Sequence, residues 1–458
     1  MEKEIITKLR KYEDFLTYKG ISLIDKSEYE LTMTSQSKLM LSPLFNFVKQ
    51  FKLLIRSKLY KPPIGNNGKI LFLVYTHSHV NTLAPVVKKM KNNFLVVKED
   101  GFTNNIAKKL KQNNIIYNDI EGYLTKDLSR NIRKAKKSLK NKYKKLLKIG
   151  EFDKQNLSYF FLIYFPEMIR YIEIINNMLS IERPRLLVVM NEITTLGNIA
   201  VHIAKQKNIK TLCIQHGTVC DASDFTPVYV DKLAVWGDNP KEAFMKKGVP
   251  TEKIVITGAP QFDDLALRNI DLKGKELKKI GIKSGKKIIV LATQPVPDME
   301  QITEALSKVV KTIPETQLVI KTHPCEYSIK KYLKIAKKQG LDDAILTGKY
   351  LHPLLNRCDV LVTSSSTVGM EAMILNKSVI TVNFTNIPDL MPYAEEGAAI
   401  GVYEKKKLMK AVKSVLYDKK IRDKLIKKGK EFIYRECYKM DGKASERVAD
   451  FINNIIKD

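Results

Sequence analysis

The sequence predicts an α/β protein with two parallel-sheet domains, and three observations predict it. The chain has 458 residues, which is too long for one ordinary core. Short apolar runs alternate with helix-length segments, the pattern of βαβ units. The runs fall into two series, separated by a lysine-rich, weakly apolar stretch from Asp264 to Lys287 that we interpret as a linker. We therefore expect two Rossmann-like domains with a cleft between them and ligands beyond the carboxyl ends of the strands.

The composition is that of a soluble globular protein, with 44% hydrophobic and 28% charged residues. No uninterrupted apolar run approaches the length of a bilayer span. The start, from Met1 to Lys8, lacks the basic-then-apolar layout of a secretory signal, so we expect a cytoplasmic protein. The 5 cysteines are scattered without a C-x-x-C pair, which argues against a disulfide framework and against a zinc site.

The net charge favours anionic partners. The chain has 79 Lys and Arg against 49 Asp and Glu, a formal charge of +30, and such a field attracts nucleotides, phospholipid surfaces or nucleic acid. No RNA-binding aromatic motif, zinc finger or helix-turn-helix signature is present, so we expect no nucleic acid partner. A solvated, lysine-rich surface with no partner is the open alternative.

Residues 1–66 form a predicted N-terminal helical region. Apolar residues recur at helical spacing from Ile5 to Leu16 and from Leu44 to Ile55, and the segment Lys61-Pro62-Pro63 ends the pattern. The first α/β domain follows at residues 67–265. Its continuous apolar runs are typical of strands buried on both faces, and they lie at 70–75, 94–97, 186–190, 211–214, 232–235 and 254–256.

A basic helical insertion interrupts this first series at about residues 120–180. Along Leu128 to Leu147, lysines and arginines surround a sparse apolar set. Such a pattern predicts an amphipathic helix that can lie on an anionic bilayer, and hence peripheral association with the inner face of the cell membrane. The alternative is a solvated helix in a lysine-rich protein.

Residues 266–430 form the second predicted α/β domain, and residues 431–458 a C-terminal helix. The apolar runs of the second series lie at 288–291, 318–320, 344–346, 360–362 and 379–382. The polar residues that follow the runs are the candidates for a ligand site, because the carboxyl ends of parallel strands share one edge of the sheet.

The first candidate group is Lys321-Thr322-His323-Pro324, at the carboxyl end of a predicted strand. Lys321 supplies a point charge for a phosphate, and the imidazole of His323 can donate a hydrogen bond to another phosphate oxygen. Pro324 restricts the backbone before it. The alternative is an ordinary histidine in a surface loop.

The second candidate group is a hydroxyl-rich turn between a strand and a helix, formed by Ser364, Ser365, Ser366 and Thr367. The helix N-terminus and these hydroxyls are suited to bind phosphate. Glu371, about one turn into the helix, can accept hydrogen bonds from a ribose diol. Ordinary helix capping by serine and threonine is the alternative.

The third candidate group lies in the first domain. His216, in Gln215-His216-Gly217-Thr218, is placed at a strand's carboxyl end to deprotonate an acceptor hydroxyl, and a core histidine is the alternative. Glu192 is a possible second acid or base, or else an acidic residue at a helix N-terminus. His77 and His79 could line an acceptor site or bind a metal, but surface positions are the more frequent outcome.

These motifs, in this order, resemble the GT-B transferases of bacterial and archaeal surface polysaccharides, notably CDP-glycerol glycerophosphotransferases and capsule transferases that use CMP-linked sugars. The resemblance covers roughly residues 68 to 430. It implies that His216 is the general base and that His323 and Ser365-Ser366 bind the donor phosphates. The segments that carry it are 215–218, Val235-Trp236-Gly237, Gly248-Val249-Pro250, 256–263, 321–324 and 364–367, with a shorter likeness to a capsule-transferase Q-x-x-x-D element at Gln294 and Asp298.

Departures from that group leave alternatives open. The glycerophosphotransferases carry an acidic-Tyr-Ser-Ser form of the serine loop that is absent here, so transfer of a sugar is favoured over transfer of a polyol phosphate. Non-hydrolysing UDP-N-acetylglucosamine 2-epimerases share the fold, but their Asp-Ser-Gly-Gly pattern is absent, and an epimerase is the second alternative. A non-enzymatic basic protein that binds membrane or nucleic acid is the third.

The expected reaction is transfer of a sugar from a CMP-, CDP- or UDP-linked donor to a surface polysaccharide or lipid-linked glycan. No D-x-D motif stands near the expected donor site, and transferases of this fold often stabilise the leaving phosphate with basic groups and helix dipoles. We therefore expect no essential metal and no cofactor besides the donor itself.

Overall fold

The computed structural model describes residues 2–24, 69–90, 93–99, 105–268, 275–324, 326, 328–385 and 387–457. The chain divides into two compact units. Unit 1 comprises residues 1–235, 240–257 and 445–458, and unit 2 comprises residues 236–239 and 258–444. Each unit is built on one parallel sheet, so the predicted fold class is confirmed.

Unit 1 contains a seven-stranded parallel sheet in the order β5-β4-β3-β6-β7-β8-β9. A separate two-stranded antiparallel pair, β1 (Thr17–Tyr18) and β2 (Ile21–Ser22), precedes it in the chain. The strands of the large sheet are β3 (Ile70–Val74), β4 (Phe94–Lys98), β5 (Tyr117–Asp119), β6 (Leu186–Val189), β7 (Lys210–Ile214), β8 (Lys232–Val235) and β9 (Ile254–Ile256).

Both faces of this sheet are covered, which explains why its strands are continuously apolar. Along β3, Leu71 and Leu73 point into one hydrophobic core, whereas Ile70, Phe72 and Val74 point into the other. Alternate residues of a strand face opposite sides of a sheet. A strand with a core on each side therefore needs an apolar residue at every position.

The helices up to residue 250 surround this sheet. They are α1 (Glu2–Arg10), α2 (His77–Lys89), α3 (Asn105–Gln112), α4 (Lys126–Ile149), α5 (Lys154–Tyr159), α6 (Phe165–Glu182), α7 (Thr195–Gln206) and α8 (Asp238–Lys246). A single π-helical turn, Phe160–Tyr164, joins α5 to α6. Helices α4 to α6 lie between β5 and β6 and form the basic insertion.

The apolar stripe of α4, which we expected to lie on an anionic bilayer, packs instead against protein in unit 1. Its residues Ile132, Leu139 and Leu146 are buried, and Leu139 and Leu146 belong to the core of unit 1. The helix packs on α6. Because the apolar stripe is already in contact with protein, the exposed residues of the helix are mostly lysines and arginines. In the described parts of the chain, no helix is both long enough and apolar enough to span a membrane.

Unit 2 contains a six-stranded parallel sheet in the order β12-β11-β10-β13-β14-β15. The strands are β10 (Lys287–Ala292), β11 (Thr316–Lys321), β12 (Ile345–Thr347), β13 (Val360–Thr363), β14 (Val379–Val382) and β15 (Ile400–Val402). Along β10, Ile288 and Val290 enter one core while Ile289 and Leu291 enter the other, so this sheet is also buried on both faces.

The remaining helices follow in chain order. They are α9 (Asp263–Ala266), α10 (Lys275–Lys279), α11 (Met299–Lys311), α12 (Lys330–Lys338), α13 (Leu351–Arg357), α14 (Val368–Ile374), α15 (Lys405–Tyr417), α16 (Lys419–Cys437) and α17 (Ala444–Lys457). Helix α17 belongs to unit 1, where Val448 and Ile452 pack into the core beneath β3.

The boundaries differ from those predicted. The main segment of unit 2 begins at residue 258 rather than 266. The described part of the supposed linker belongs to unit 2, where Leu265 and Leu277 are buried in its core. The single helix predicted at 431–458 is two helices, α16 and α17. The helical pattern predicted at 44–55 lies outside the described residues.

In the two large sheets, two described strands have no counterpart among the predicted ones, β5 and β15, and the short pair β1 and β2 has none either. Strands β5 and β15 both lie at sheet edges. Their sequences, Tyr-Asn-Asp and Ile-Gly-Val, are three residues long and lack a continuous apolar run. An edge strand has one exposed side, so burial places a weaker demand on its composition.

Candidate functional site

The strand order of each sheet reverses direction once, and the candidate residues gather at these reversals. In unit 1 the reversal lies between β3 and β6, and in unit 2 between β10 and β13. The loops that leave two such strands run in opposite directions and open a crevice at the carboxyl edge of the sheet, where ligands bind in open α/β sheets.

In unit 2, Lys321 is the last residue of β11 and is 8% exposed. Its Nζ donates a hydrogen bond to the backbone oxygen of Thr322 at 2.8 Å. Burial lowers the pKa of the Lys321 ammonium, while the nearby negative charge of Glu371 raises it. The structure therefore brings Lys321 and Glu371, which are 50 residues apart in the sequence, within electrostatic range of each other.

The His323 turn is held by a carboxylate that sequence reasoning missed. The backbone N–H of His323 donates to Oε2 of Glu326 at 3.0 Å and to Oγ1 of Thr293 at 3.2 Å. Glu326 also accepts hydrogen bonds from the hydroxyls of Thr293 and Tyr332. These bonds join the loop after β10 to the loop after β11. The signal was present as an acidic residue three positions after His323.

The serine loop connects β13 to α14, and its hydroxyls are tied to the loop that follows β14. Ser365 Oγ accepts a hydrogen bond from the N–H of Leu390 at 3.1 Å. The hydroxyl of Tyr393 donates to the backbone oxygen of Ser366 at 2.9 Å. Tyr393 is fully buried and packs on Gly369. The loop is therefore held in one conformation by unit 2 alone.

The backbone N–H groups of this loop distinguish it from ordinary helix capping. Those of Val368, Gly369 and Met370 are bonded within the loop itself, to Ser366 and Thr367. The N–H groups of residues 364–367 have no hydrogen-bond acceptor among the described residues. Successive unpaired amides form a concave anion receptor. The amides that remain for a phosphate are thus those of the loop, rather than those of the short helix α14.

Glu371 has a histidine partner that the sequence did not indicate. Nε2 of His352 lies 2.7 Å from Oε2 of Glu371. A carboxylate oxygen only accepts, so the imidazole donates this bond. His352 lies on α13, at the carboxyl end of β12. The pair fixes one carboxylate oxygen of Glu371.

The Q-x-x-x-D segment contributes a structural carboxylate. Asp298 is 5% exposed, and its Oδ2 accepts a hydrogen bond from the N–H of Phe384 at 2.7 Å. It therefore anchors the loop after β14 to the start of α11. Oε1 of Gln294 is buried and has no partner in the described part of the chain.

In unit 1, His216 follows β7 and is oriented by a backbone carbonyl. Its Nδ1 lies 2.6 Å from the oxygen of Met190. A carbonyl oxygen only accepts, so Nδ1 carries the proton and Nε2 has the free lone pair. Burial lowers the pKa of His216 below its ordinary 6.5, against the opposing effect of the Met190 bond. His216 is a neutral imidazole at pH 7, the form that a general base requires.

A second histidine lies against His216. The His79 and His216 rings are edge to face, with centroids 4.6 Å apart and planes at 78°. His79 is fully buried, and its Nδ1 accepts a hydrogen bond from the N–H of Tyr75 at 3.5 Å. His77 is exposed. Thr76 caps α2 by accepting from the N–H of His79, so the first turn of the helix directs His79 inward.

The strand ends around His79 are closely packed. The hydroxyl of Tyr75 donates to the backbone oxygen of Asn191 and accepts from Oγ1 of Thr194 at 2.7 Å. A Cβ added at Gly197 would lie 1.9 Å from that same Asn191 oxygen. Only a glycine lets α7 approach the end of β6 this closely.

The contacts of Glu192 hold two segments of the backbone together. It is 3% exposed, and its Oε2 accepts hydrogen bonds from the N–H groups of Tyr229 and Val230, each at 2.8 Å. Burial raises the pKa of Glu192 to about 7, against these two bonds. Its role as a second acid or base stays a prediction. In the described ranges no group of three His, Cys, Asp or Glu residues is arranged to hold a metal ion.

Comparisons with known proteins bear on the fold and on unit 2. Residues 226–453 match the sequence model of the UDP-N-acetylglucosamine 2-epimerase family. A structure of UDP-GlcNAc 2-epimerase from Neisseria meningitidis bound to UDP-GlcNAc aligns with a TM-score of 0.60 at 16% identity, covering 84% of this chain and 100% of that one. The chain has a GT-B-like fold.

Two further structures support that description. The UDP-GlcNAc 2-epimerase from Methanocaldococcus jannaschii, in complex with UDP-GlcNAc and UDP, aligns at a TM-score of 0.52 with 18% identity, over 84% of this chain and 99% of that one. A variant of the wall teichoic acid polymerase TagF aligns at 0.52 with 16% identity, over 91% of this chain and 98% of that one. A sequence search among curated proteins finds no match.

The comparisons favour the epimerase alternative over the glycosyltransferase that the sequence motifs favoured. The TagF structure is a transferase-like neighbour. The segment that matches the epimerase family contains Lys321, His323, the serine loop and Glu371. It does not contain His79, Glu192 or His216. The family match therefore covers unit 2 and parts of unit 1, and it includes the candidate phosphate residues but not the candidate acid or base residues.

Proposed function

We propose that this chain is a nucleotide-sugar enzyme whose unit 2 binds the nucleotide and whose His216 removes a proton from the substrate that reacts. One observation carries the proposal. Unit 2 places a buried ammonium, a histidine turn and a run of unpaired backbone amides along the carboxyl edge of one sheet. This combination is suited to an anion with several oxygens, such as a nucleotide diphosphate.

Each group in unit 2 has a distinct task in the proposal. Lys321 neutralises charge on the phosphates, and the N–H groups of residues 364–367 donate to their oxygens. His323 adds a further donor at the neighbouring loop. Glu371, with one oxygen fixed by His352, retains the other to accept hydrogen bonds from the ribose diol. Hydrogen bonds within unit 2 hold the His323 turn, the serine loop and Glu371 in position, and such preorganisation lowers the ordering cost of binding.

The reaction that we propose first is transfer of the sugar to a hydroxyl of a glycan or lipid-linked acceptor. Nε2 of His216 takes the hydroxyl proton as the oxygen attacks the anomeric carbon, and the nucleotide leaves with the bonding electron pair. Lys321 and the loop amides stabilise the charge that develops on the leaving phosphate. No metal or cofactor has a role in this scheme. Transfer of a polyol phosphate would use the same groups.

A UDP-GlcNAc 2-epimerase is the second candidate, and the family match over residues 226–453 favours it. Epimerisation at C2 requires that a proton be removed from that carbon and returned to its other face. The serine loop contains no carboxylate for this step, since Ser364 begins it and the nearest acid, Glu371, is bonded to His352. His216 would have to supply the base in this case too.

Product analysis in D₂O separates the two reactions. The protein is incubated with UDP-GlcNAc alone and then with CMP-, CDP- and UDP-sugars together with glycan or lipid-linked acceptors. The transferase proposal predicts a new glycoside and free nucleotide, with no deuterium at C2 of the remaining donor. Formation of the 2-epimer with deuterium at C2, in the absence of any acceptor, would instead establish the epimerase.

Nucleotide binding is tested separately by calorimetry with CMP, CDP and UDP. Binding that weakens when the phosphates are removed, as in cytidine and uridine, supports the role of unit 2. Failure of all three nucleotides to bind at near-millimolar concentration would contradict it and favour the non-enzymatic alternative.

Association with a membrane surface remains part of the proposal, by charge alone. The exposed residues of α4 include nine lysines and arginines but one carboxylate, Asp127. Such a face is attracted to anionic lipid at roughly 1 kcal/mol per basic residue near the surface. Sedimentation with vesicles containing phosphatidylserine, at low and high salt, tests this, and binding that does not respond to salt would contradict it.

A further inference from the structure

His79 packs against His216, the residue to which we assign the proton transfer, and is itself buried. His79 lies at the reversal point of the unit 1 sheet, in the first turn of α2, and is 0% exposed. A fully buried ring cannot touch a substrate. Its influence on any reaction must therefore pass through the residues against which it packs, and these include His216 and Tyr75.

The two ring nitrogens of His79 are buried in an energetically unfavourable arrangement. Because Nδ1 accepts from the N–H of Tyr75, the proton of the neutral ring resides on Nε2. That Nε2 is buried and has no partner among the described residues. A buried, unpaired polar atom is unfavourable and rare in folded proteins. The hydrogen bond from Tyr75 orients the ring of His79, and the ring in turn packs against His216.

The ring of His216 is confined on two sides. Its Nδ1 is bonded to the oxygen of Met190, and the ring of His79 lies across it at 78°. The carbonyl fixes the tautomer as long as this hydrogen bond is kept. The His79 ring packs against the His216 ring and opposes its rotation away from the carbonyl.

We propose that His79 is a positioning residue for His216. The packed ring of His79 keeps Nε2 of His216 in one direction and shields the His216 ring from water. The His79 ring is itself held in place by the Tyr75 N–H and by the Thr76 cap of α2. The effect on catalysis rests on the proposed function, whereas the effect on the His216 ring does not.

The charged surroundings are consistent with two neutral rings. Burial and the proximity of His216 and His77 hold the pKa of His79 well below its ordinary value. Burial, with the charge of Lys109, lowers the pKa of His77. Glu192 lines the same small cavity as His216, but its Oε2 is occupied by two backbone amides. A positive charge on His79 would oppose protonation of His216. An uncharged His79 therefore leaves His216 able to accept a proton.

Histidine NMR tests the proposal without an activity assay. The chain has 6 histidines, so ¹⁵N-histidine spectra can be assigned with single variants. In the unaltered protein we expect neutral His216 to show a protonated Nδ1 and a bare Nε2, and to titrate with a midpoint below pH 6.5. In His79→Ala and His79→Asn we expect mixed tautomers, and a pKa for His216 that rises towards its ordinary value as water enters.

His79→Phe is the informative comparison, because it keeps a ring and removes both nitrogens. We expect it to preserve the tautomer of His216. His202→Ala is the matched control, since His202 also bonds a carbonyl through Nδ1, at 2.9 Å from Asn198, and contacts a ring, that of Tyr229. It should leave the signals of His216 unchanged.

Activity gives the second readout. Once a substrate is known, His79→Ala and His79→Asn should lower kcat by about tenfold or more with little change in KM, since small misplacements of a reacting group have effects of this size. His79→Phe should stay close to the unaltered enzyme. If no activity is found at all, the proposed function fails while the NMR result still decides the role of His79.

Two results would overturn the proposal. One is an unchanged tautomer and pKa of His216 in both the Ala and the Asn variants. The other is an equal disturbance of His216 by Phe and by Ala, which would show that the nitrogens and not the ring act on it. Should His79→Ala fail to fold, the Phe and Asn variants, which keep more of the side-chain volume, decide the question between them.

Discussion

The two sheets of this protein share a strand order around their reversal points but present different chemistry at their carboxyl edges. The unit 2 edge offers hydrogen-bond donors. These are the N–H groups of residues 364–367, which have no acceptor among the described residues, and the buried ammonium of Lys321. The unit 1 edge offers a lone pair, on Nε2 of His216, within a closely packed group of rings. One edge is suited to hold an anion and the other to take a proton, although the backbone framework is the same.

The largest expected effect comes from the unit 1 edge. We expect His216→Ala to lower kcat by about 10²- to 10⁴-fold, the range for loss of a general base. Nucleotide affinity measured by calorimetry should remain within about twofold, because the proposed phosphate contacts lie in unit 2. His202→Ala provides the control. A large loss of nucleotide affinity in His216→Ala would contradict the proposal that unit 2 binds the nucleotide while His216 only removes the proton.

The pH dependence follows from the same residue. The base must be neutral, and burial lowers the pKa of His216 below 6.5. The plot of kcat/KM against pH should therefore level off at higher pH and fall on the acidic side with a midpoint below 6.5. A midpoint above 6.5 on the acidic side would show that another group is the base.

A glycine at each edge tests how rigidly the two are built. Gly197→Ala in unit 1 places a Cβ 1.9 Å from a backbone oxygen, whereas Gly369→Ala in unit 2 places one 2.9 Å from the Tyr393 ring. We expect losses in unfolding free energy of about 3 kcal/mol and about 1 kcal/mol respectively, since a side chain yields more readily than backbone. Thermal and urea unfolding measure both. Equal losses would mean that the two edges are packed alike.

Within unit 2, we expect the charge of Lys321 to contribute more to nucleotide affinity than the ribose contact of Glu371. Lys321→Met keeps the buried chain and removes the ammonium, so nucleoside diphosphate should bind about 10- to 100-fold more weakly, as for loss of a charge-assisted hydrogen bond worth 1.5–3 kcal/mol. Nucleoside affinity should not change. Lys286→Met, on the same unit and paired with Asp343 at 2.9 Å, is the control and should have no effect.

The smallest effect concerns Glu371 and its partner. We expect Glu371→Gln to weaken nucleotide binding by about fivefold, the scale of one hydrogen bond of about 1 kcal/mol. The loss should disappear when the 2′-deoxynucleotide is the ligand. His352→Phe should give a similar but weaker result, because it frees the carboxylate without removing it. An equal loss with the deoxynucleotide would assign Glu371 a role other than ribose binding.

The candidate site was predictable to different depths at the two edges. Lys321, His323 and the serines were recognisable because strand ends followed by cations and hydroxyls have a local pattern. Glu326 and His352 were missed because their roles arise from contacts between separate loops. Glu192 was interpreted as a possible acid or base from its place after β6, yet its carboxylate bonds the N–H groups of Tyr229 and Val230, a contact across 37 residues that no local pattern contains.

The sequence by itself determined the two parallel sheets, since a strand with a core on both faces must be apolar at every position. It also determined which residues stand at strand ends. Only the tertiary structure decided that the apolar stripe of α4 packs in unit 1 and that His79 rather than His77 lies against His216. It also decided that the N–H groups of the serine loop lack an acceptor among the described residues. The reason is physical: burial and partner choice depend on which segments meet, and neither His79 nor α4 has a local sequence that specifies its neighbour.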